Sequence, residues 1–332
     1  MVQRCWYTRG RFSGRAGMND TLEFDTGLVT IRAKRWGQEK GIPTLCLHGF
    51  LDNAASFDRL APELHGLDIV AMDFAGHGWS DHRPLGMPYS GLSDLHDILS
   101  VADQMEWETF SIIGHSMGAE LGAQFAGLFP DRVTALVCLD GFCGTDGAPQ
   151  TLAHLSSMVG SANPRLSTLK VFESLDAMER RLSEATGQSL ESARLIVERG
   201  HQVVTGGFSW RADSRIRSGG PMELTNAQLR ALVSATSART ALIIADTTSE
   251  WLKRSLRVLL NPVPSAFEIA HIPSHHHFHM HEAHVQLAQM IAAFLAGEPL
   301  PGALSDSAIN ALREAVQETP SPELVGEGLA AG

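Results

Sequence analysis

Gly114-His115-Ser116-Met117-Gly118 sets a hydroxyl between two glycines, behind the apolar run Phe110 to Ile113 and ahead of a stretch rich in small residues. A serine at a sharp strand-to-helix turn is held in a strained backbone conformation that exposes its oxygen, and glycines two residues either side leave room for the turn. Ser116 is therefore the candidate nucleophile. A serine hydroxyl is weakly nucleophilic near neutral pH and needs an imidazole base within hydrogen-bond reach. The supply is concentrated in one segment, where His271, His275, His276, His277, His279, His281 and His284 lie between an apolar strand and a helical pattern. Spacing alone does not choose among them.

Acyl chemistry also needs donors for a developing oxyanion. His48-Gly49-Phe50 follows the apolar run Thr44 to Leu47, and a glycine there lets the backbone turn so that the Phe50 N–H points into a cleft. The Met117 N–H, at the start of the helix after Ser116, is the second candidate, because a helix N-terminus favours negative charge. Asp73 to Ser80 forms a glycine-rich loop whose spacing matches neither phosphate-binding pattern. It is read as structural, with Gly76 and Gly78 permitting the turn and Asp73 and His77 tying it together. The pairs His277/His281 and His275/His279 are four residues apart, yet no H-E-x-x-H and no paired cysteines accompany them. No metal and no cofactor are expected, and chelation should leave activity intact.

These groups need a scaffold. Thr21 to Asp25 and Leu28 to Trp36 flank Thr26-Gly27 and predict an antiparallel hairpin. Six short apolar runs follow: Thr44 to Leu47, Asp68 to Met72, Phe110 to Ile113, Ala135 to Leu139, Ala241 to Ala245 and Phe267 to Ile272. Continuous apolar strands separated by helix-forming stretches predict a mostly parallel sheet with helices on both faces. Ser90 to Met105 is one such helix, with Leu92, Leu95, Leu99 and Ala102 as its apolar stripe. Ala119, Gly122, Ala123 and Ala126 give the helix after Ser116 a face small enough to lie tightly on a sheet.

The alternation stops over residues 144–237, a mostly helical and more polar stretch read as a lid inserted into a core of residues 18–143 and 238–297. There Phe208, Trp210 and Met222 are expected to pack the lid interior rather than line a pocket. Residues 1–17 carry four arginines and no acid, and are read as a disordered extension. Residues 298–332 are read as a tail, with one helix over Ser305 to Gln317. The net charge of −11 argues against a nucleic-acid partner, since phosphate binding rests on clustered Lys and Arg. No run approaches the ~20 apolar residues of a membrane span. The four cysteines do not look like a disulfide framework, which points to a reducing cytoplasm, and the partner expected is a small-molecule substrate.

In this order, His48-Gly49-Phe50, Asp73 to Ser80 and Gly114 to Gly118 resemble the α/β-hydrolase superfamily over about residues 20–297. Leu47 to Leu60, Val70 to Phe74, Glu198-Arg199-Gly200 and His276-His277-Phe278-His279-Met280 are similar to the serine hydrolase-like proteins in particular. The resemblance implies an α/β-hydrolase fold with a helical lid. It selects His276, first histidine of the His-x-x-His-Met segment, as the base, and His279 as a supporting residue. The superfamily's usual acid position reads here as Ala245-Asp246-Thr247-Thr248, a departure from Gly-x-x-Asp. Some relatives place the carboxylate after the preceding strand, where Asp140 stands. Asp140 is favoured, with Asp246 and Glu250 as alternatives.

The expected activity is hydrolysis of a small carboxylic ester or thioester through an acyl-enzyme on Ser116. Serine at position 116 disfavours the dehalogenase and epoxide-hydrolase chemistry that this fold performs with a carboxylate nucleophile. Two other readings are carbon–carbon bond hydrolysis of a diketone-like substrate and noncatalytic binding of a small ligand in the same pocket.

Overall fold

The computed structural model describes residues 21–144, 170–218, 224–246, 252–253, 255–256, 267–305 and 307–309. Thr21–Asp25 (β1) and Thr30–Gly37 (β2) pair antiparallel as a hairpin, and β2 then lies antiparallel to Leu67–Met72 (β4). Ile42–Leu47 (β3), β4, Phe110–His115 (β5), Val133–Leu139 (β6), Arg239–Ala245 (β9) and Phe267–Ile272 (β10) run parallel to one another. The order across the sheet is β1-β2-β4-β3-β5-β6-β9-β10. His201–Val204 (β7) and Gly207–Trp210 (β8) make a separate antiparallel pair.

Alternate residues of the inner strands feed two apolar layers. Leu45, Leu47, Val70, Met72, Ile112, Leu136, Cys138 and Leu242 face one side, where Gly91–Gln104 (α1) and Met117–Leu128 (α2) pack. Cys46, Ile69, Ala71, Ile113, Val137, Leu139 and Ile243 face the other, against His284–Leu295 (α6). Both faces are buried, so each central strand is apolar without alternation. The small face of α2 forms as expected: Ala119, Gly122, Ala123 and Ala126 are buried, and a Cβ on Gly122 would lie 2.9 Å from Ile112 Cγ2.

Helix α1 begins where Ser90 caps it, its side chain accepting from the Ser93 N–H. Its buried stripe is Leu95, Ile98, Val101 and Ala102. The stripe is thus rotated from the expected one: Leu95 and Ala102 belong to it, whereas Leu92 is 51% exposed and Leu99 only half-buried. Several registers of leucine fit a 100° period here, and β-branched Ile98 and Val101 occupy the positions that meet the sheet.

Between β6 and β9 the described chain holds Leu175–Thr186 (α3), Leu190–Gly200 (α4), the β7/β8 pair and Asn226–Ala235 (α5). Helix α5 lies on α2, with the Leu232 carbonyl so close to Gly127 that a Cβ there would sit 2.4 Å from it. Phe208 and Trp210 pack around Phe172, Met178 and Val197. Met222, Glu250, residues 1–17 and the tail beyond Ile309 lie outside the described residues. Among the described residues Cys46, Cys138 and Cys143 are free and buried, and no helix is long and apolar enough to cross a membrane.

Candidate active site

Parallel strands place their carboxyl ends along one edge of the sheet, and the strand order reverses about β3, with β4 on one side and β5 on the other. Such a switch point opens a crevice beyond the strand ends. Ser116 directly follows β5 at this edge, with φ 50° and ψ −117°. That left-handed backbone strains a residue with a Cβ. It persists because its surroundings allow nothing else: the Ser116 N–H donates to Leu139 O at 3.0 Å, and its carbonyl accepts the Ala119 and Glu120 amides that start α2. The flanking glycines are needed for space. A Cβ on Gly114 would lie 2.4 Å from Gly118 O, one on Gly118 2.1 Å from Leu47 O, and one on Gly141 2.4 Å from Ser116 O.

His115 pairs with Leu139 in the β5/β6 register, so the residue after β6, Asp140, stands level with Ser116. Asp140 is fully buried and has φ 43°. Its Oδ1 accepts from the Ala245 N–H at 3.1 Å, and its Oδ2 accepts from His276 Nδ1 at 2.6 Å. The loop after β10 carries His276, and the backbone there is pinned by His115, whose Nε2 donates to His276 O at 3.0 Å. The His115 and His276 rings lie 4.7 Å apart. With Nδ1–H engaged by a carboxylate, the His276 lone pair is left on Nε2. Asp140, level with Ser116, thus links the serine turn to His276; among the described residues no hydrogen bond is recorded between Ser116 and His276, and catalytic bonds often tighten only when substrate is present.

The alternative acid goes elsewhere. Asp246 Oδ1 lies 2.7 Å from His271 Nε2, an exposed pair on the rim, whereas Asp140 engages the histidine of the His-x-x-His-Met segment.

Phe50 is 49% exposed at the end of the β3 loop, and Met117 is the first residue of α2. Among the described residues neither amide N–H donates to a protein acceptor. The loop turns by a different device from the expected one. The left-handed residue is Leu51, with φ 63°, and not Gly49, whose role is close approach: a Cβ on Gly49 would lie 2.8 Å from His115 Nδ1. His48 is buried and neutral, donating from Nδ1 to Gly49 O at 2.7 Å and accepting the Phe74 N–H at Nε2 at 3.0 Å. Burial holds its pKa well below the usual histidine value, with nearby His77 acting in the same direction.

The glycine-rich loop is tied together as its residues imply. Gly76 and Gly78 take φ +77° and +47°, and a Cβ on Gly78 would sit 2.3 Å from the Asp73 carboxylate. Asp73 accepts the Ala54 N–H at 2.7 Å and the Trp79 N–H at 2.9 Å. Its main cation was not recognised from the sequence: Arg199 of α4 reaches both Asp73 oxygens at 2.9 and 3.0 Å and stacks over the Trp79 ring at 4.3 Å. The one signal was Glu198-Arg199-Gly200, within the serine hydrolase-like resemblance.

The histidine-rich segment is not a helix over residues 271–281. The four-residue spacings therefore do not stack His277 on His281 or His275 on His279; instead His275 meets His281 edge to face at 4.1 Å. His279 is buried with its ring 4.2 Å from His115 and 5.7 Å from Phe57. Among the described residues neither of its nitrogens has a hydrogen-bond partner, and burial lowers its pKa to about 3. His115, Asp52 and His277 complete this buried group, which the sequence pattern did not single out.

The sequence profile of the α/β-hydrolase fold family matches residues 43–249. Serine hydrolase-like protein 2 of Homo sapiens is 32% identical over 288 residues, 80% of this chain and 90% of that protein. A serine hydrolase-like protein of Mus musculus is 29% identical over 308 residues, covering 85% of this chain and 97% of its own length. Among solved structures, a hypothetical protein of Pseudomonas aeruginosa PAO1 superposes with a TM-score of 0.76 at 36% identity, over 83% of this chain and 99% of its own. The thioesterase domain from the curacin biosynthetic pathway shares the fold, with a TM-score of 0.72 at 21% identity over 85% of this chain and all of that domain. The strained serine at the switch point, the parallel sheet around it and these relatives agree, and the chain belongs to the α/β-hydrolase fold family, among the serine hydrolase-like proteins.

Proposed function

We propose that this α/β-hydrolase is a serine hydrolase that cleaves a small carboxylic ester or thioester. His276 Nε2 removes the Ser116 proton, and Ser116 Oγ attacks the substrate carbonyl. The Phe50 and Met117 amides receive the oxyanion, and Asp140 steadies the imidazolium. His276 then returns the proton to the departing alcohol or thiol, and the same ring activates the water that releases the acid. An ester or thioester leaving group needs less protonation than an amine. The observation that carries this reading is the 2.6 Å bond between His276 and the buried Asp140, one residue level from the strained Ser116.

The segment holding α3, α4 and the β7/β8 pair acts as the lid. Its support is its anchoring on loops beyond the strand ends: Asn53 Nδ2 donates to Ile196 O at 2.9 Å, Ser192 Oγ to Met280 O at 3.0 Å, and Arg211 Nε to Gly78 O at 2.7 Å. The test is labelling by a fluorophosphonate, together with a panel of acyl esters and thioesters of graded chain length. The unaltered chain should label at Ser116, and Ser116→Ala should lose label and at least about a thousandfold in turnover while staying folded. Full activity in that variant refutes the nucleophile. No labelling of the unaltered chain, with tight ligand binding, assigns the pocket to noncatalytic binding.

A further inference from the structure

Three ionisable side chains beneath the serine turn are buried with polar atoms that lack the partners their chemistry demands. His115, His277 and Asp52 are 0%, 7% and 6% exposed, and among the described residues His115 Nδ1, His277 Nδ1 and Asp52 Oδ2 have no hydrogen-bond partner. Because His115 donates from Nε2 to His276 O, its Nδ1 is a bare lone pair. Asp52 Oδ2 faces it at 3.7 Å and lies 3.9 Å from His277 Nε2. Acceptors turned on one another away from water are unfavourable unless a proton or a cation lies among them. One ring nitrogen each from His115, His276 and His277 fall within 4.8 Å of one another. Three nitrogens on a tetrahedral ion at about 2.0–2.1 Å are about 3.3 Å apart, so small ring rotations close the set.

We propose that His115, His276 and His277, with the Asp52 carboxylate beside them, hold a divalent ion of the Zn²⁺ class, and that the ion switches hydrolysis off. The ligand set decides the class: imidazoles suit zinc, copper and nickel, whereas magnesium and calcium take oxygen ligands. Asp52 then serves as the carboxylate acceptor that metal-bound histidines commonly have behind them. The inhibitory effect rests on the function proposed above, since it requires His276 to be the base. Whichever of its nitrogens takes the ion, that ring can no longer both donate to Asp140 and accept the Ser116 proton. Binding of the ion itself does not depend on that reading.

Calorimetry on the full-length Ser116→Ala variant, with Zn²⁺ and separately with Mg²⁺ after chelator treatment, tests the site without any turnover. One Zn²⁺ per chain and no Mg²⁺ uptake are expected, with His277→Ala weakening Zn²⁺ at least about tenfold and His271→Ala, on the exposed rim, leaving it unchanged. Zinc-edge anomalous diffraction from crystals of the unaltered chain keeps the test decisive where His277→Ala does not fold. A peak among His115, His276 and His277 supports the proposal, and no binding or a peak elsewhere overturns it. In the unaltered chain, Zn²⁺ should block fluorophosphonate labelling of Ser116 and a chelator should restore it. Binding at the three histidines without loss of labelling overturns the inhibitory role alone. Failure of label in the metal-free chain overturns the hydrolase reading and leaves the ion site standing.

Discussion

Replacing Asp140 by Asn turns one carboxylate oxygen into an NH₂ at almost constant volume, and two of the hydrogen bonds on that carboxylate set the consequence. Oδ1 accepts from the Ala245 N–H and Oδ2 from His276 Nδ1. An amide satisfies Ala245 only with its oxygen, so its NH₂ turns towards His276. The ring must then expose its lone pair at Nδ1 and carry its proton on Nε2, the wrong tautomer for taking a proton from Ser116. In the other orientation the amide NH₂ faces the Ala245 N–H, donor against donor in a fully buried site. Either way the imidazolium also loses its anionic partner. The expected loss in kcat is about 10³- to 10⁴-fold, equivalent to about 4–5.5 kcal/mol of barrier. Steady-state hydrolysis of an activated ester, with urea unfolding as the check on folding, measures it. Asp246→Asn, which alters only the rim pair with His271, should stay within about twofold of the unaltered chain, since exposed ion pairs contribute little. Asp140→Asn retaining more than a tenth of kcat, or Asp246→Asn losing as much, would refute the assignment.

Two further outcomes concern stability. Arg199→Ala leaves the fully buried Asp73 carboxylate with its amide donors and no guanidinium, and should cost about 3 kcal/mol in urea unfolding, the lower end for breaking a buried pair. Adding Asp73→Asn should recover part of that loss, and strict additivity of the two variants would contradict the coupling. Burial depresses the pKa of His279 to about 3, so below pH 6.5 the unfolded chain binds a proton there that the folded chain refuses. Its contribution is complete above pH 6.5 and is lost as pH falls towards 3, at about 1.4 kcal/mol per pH unit. His279→Phe should therefore gain about 2 kcal/mol relative to the unaltered chain on moving from pH 7 to pH 5. An equal difference at both pH values would show that His279 titrates normally.

The sequence alone determined the strands of the main sheet and the serine turn, because both are written in neighbouring residues, whereas the β7/β8 pair lies in a stretch read as mostly helical. Six short apolar runs can be satisfied only by strands covered on both faces, and Gly114, Ser116 and Gly118 specify a turn whose crowding tolerates no other spacing. It did not determine the register of α1, since Leu92 and Leu99 compete with Ile98 and Val101 until a sheet is there to choose. Tertiary structure alone decided which carboxylate meets which histidine: the β5/β6 register sets Asp140 level with Ser116, while Asp246 is carried to His271 on the rim. It also decided that the histidines do not act as helical pairs. His115, Asp52 and His277 come together from separate segments of the chain, and Arg199 reaches Asp73 across 126 positions. Local spacing constrains what a residue's own backbone can do. Partners brought by a folded sheet are set by the packing of the whole domain, and no short-range pattern encodes them.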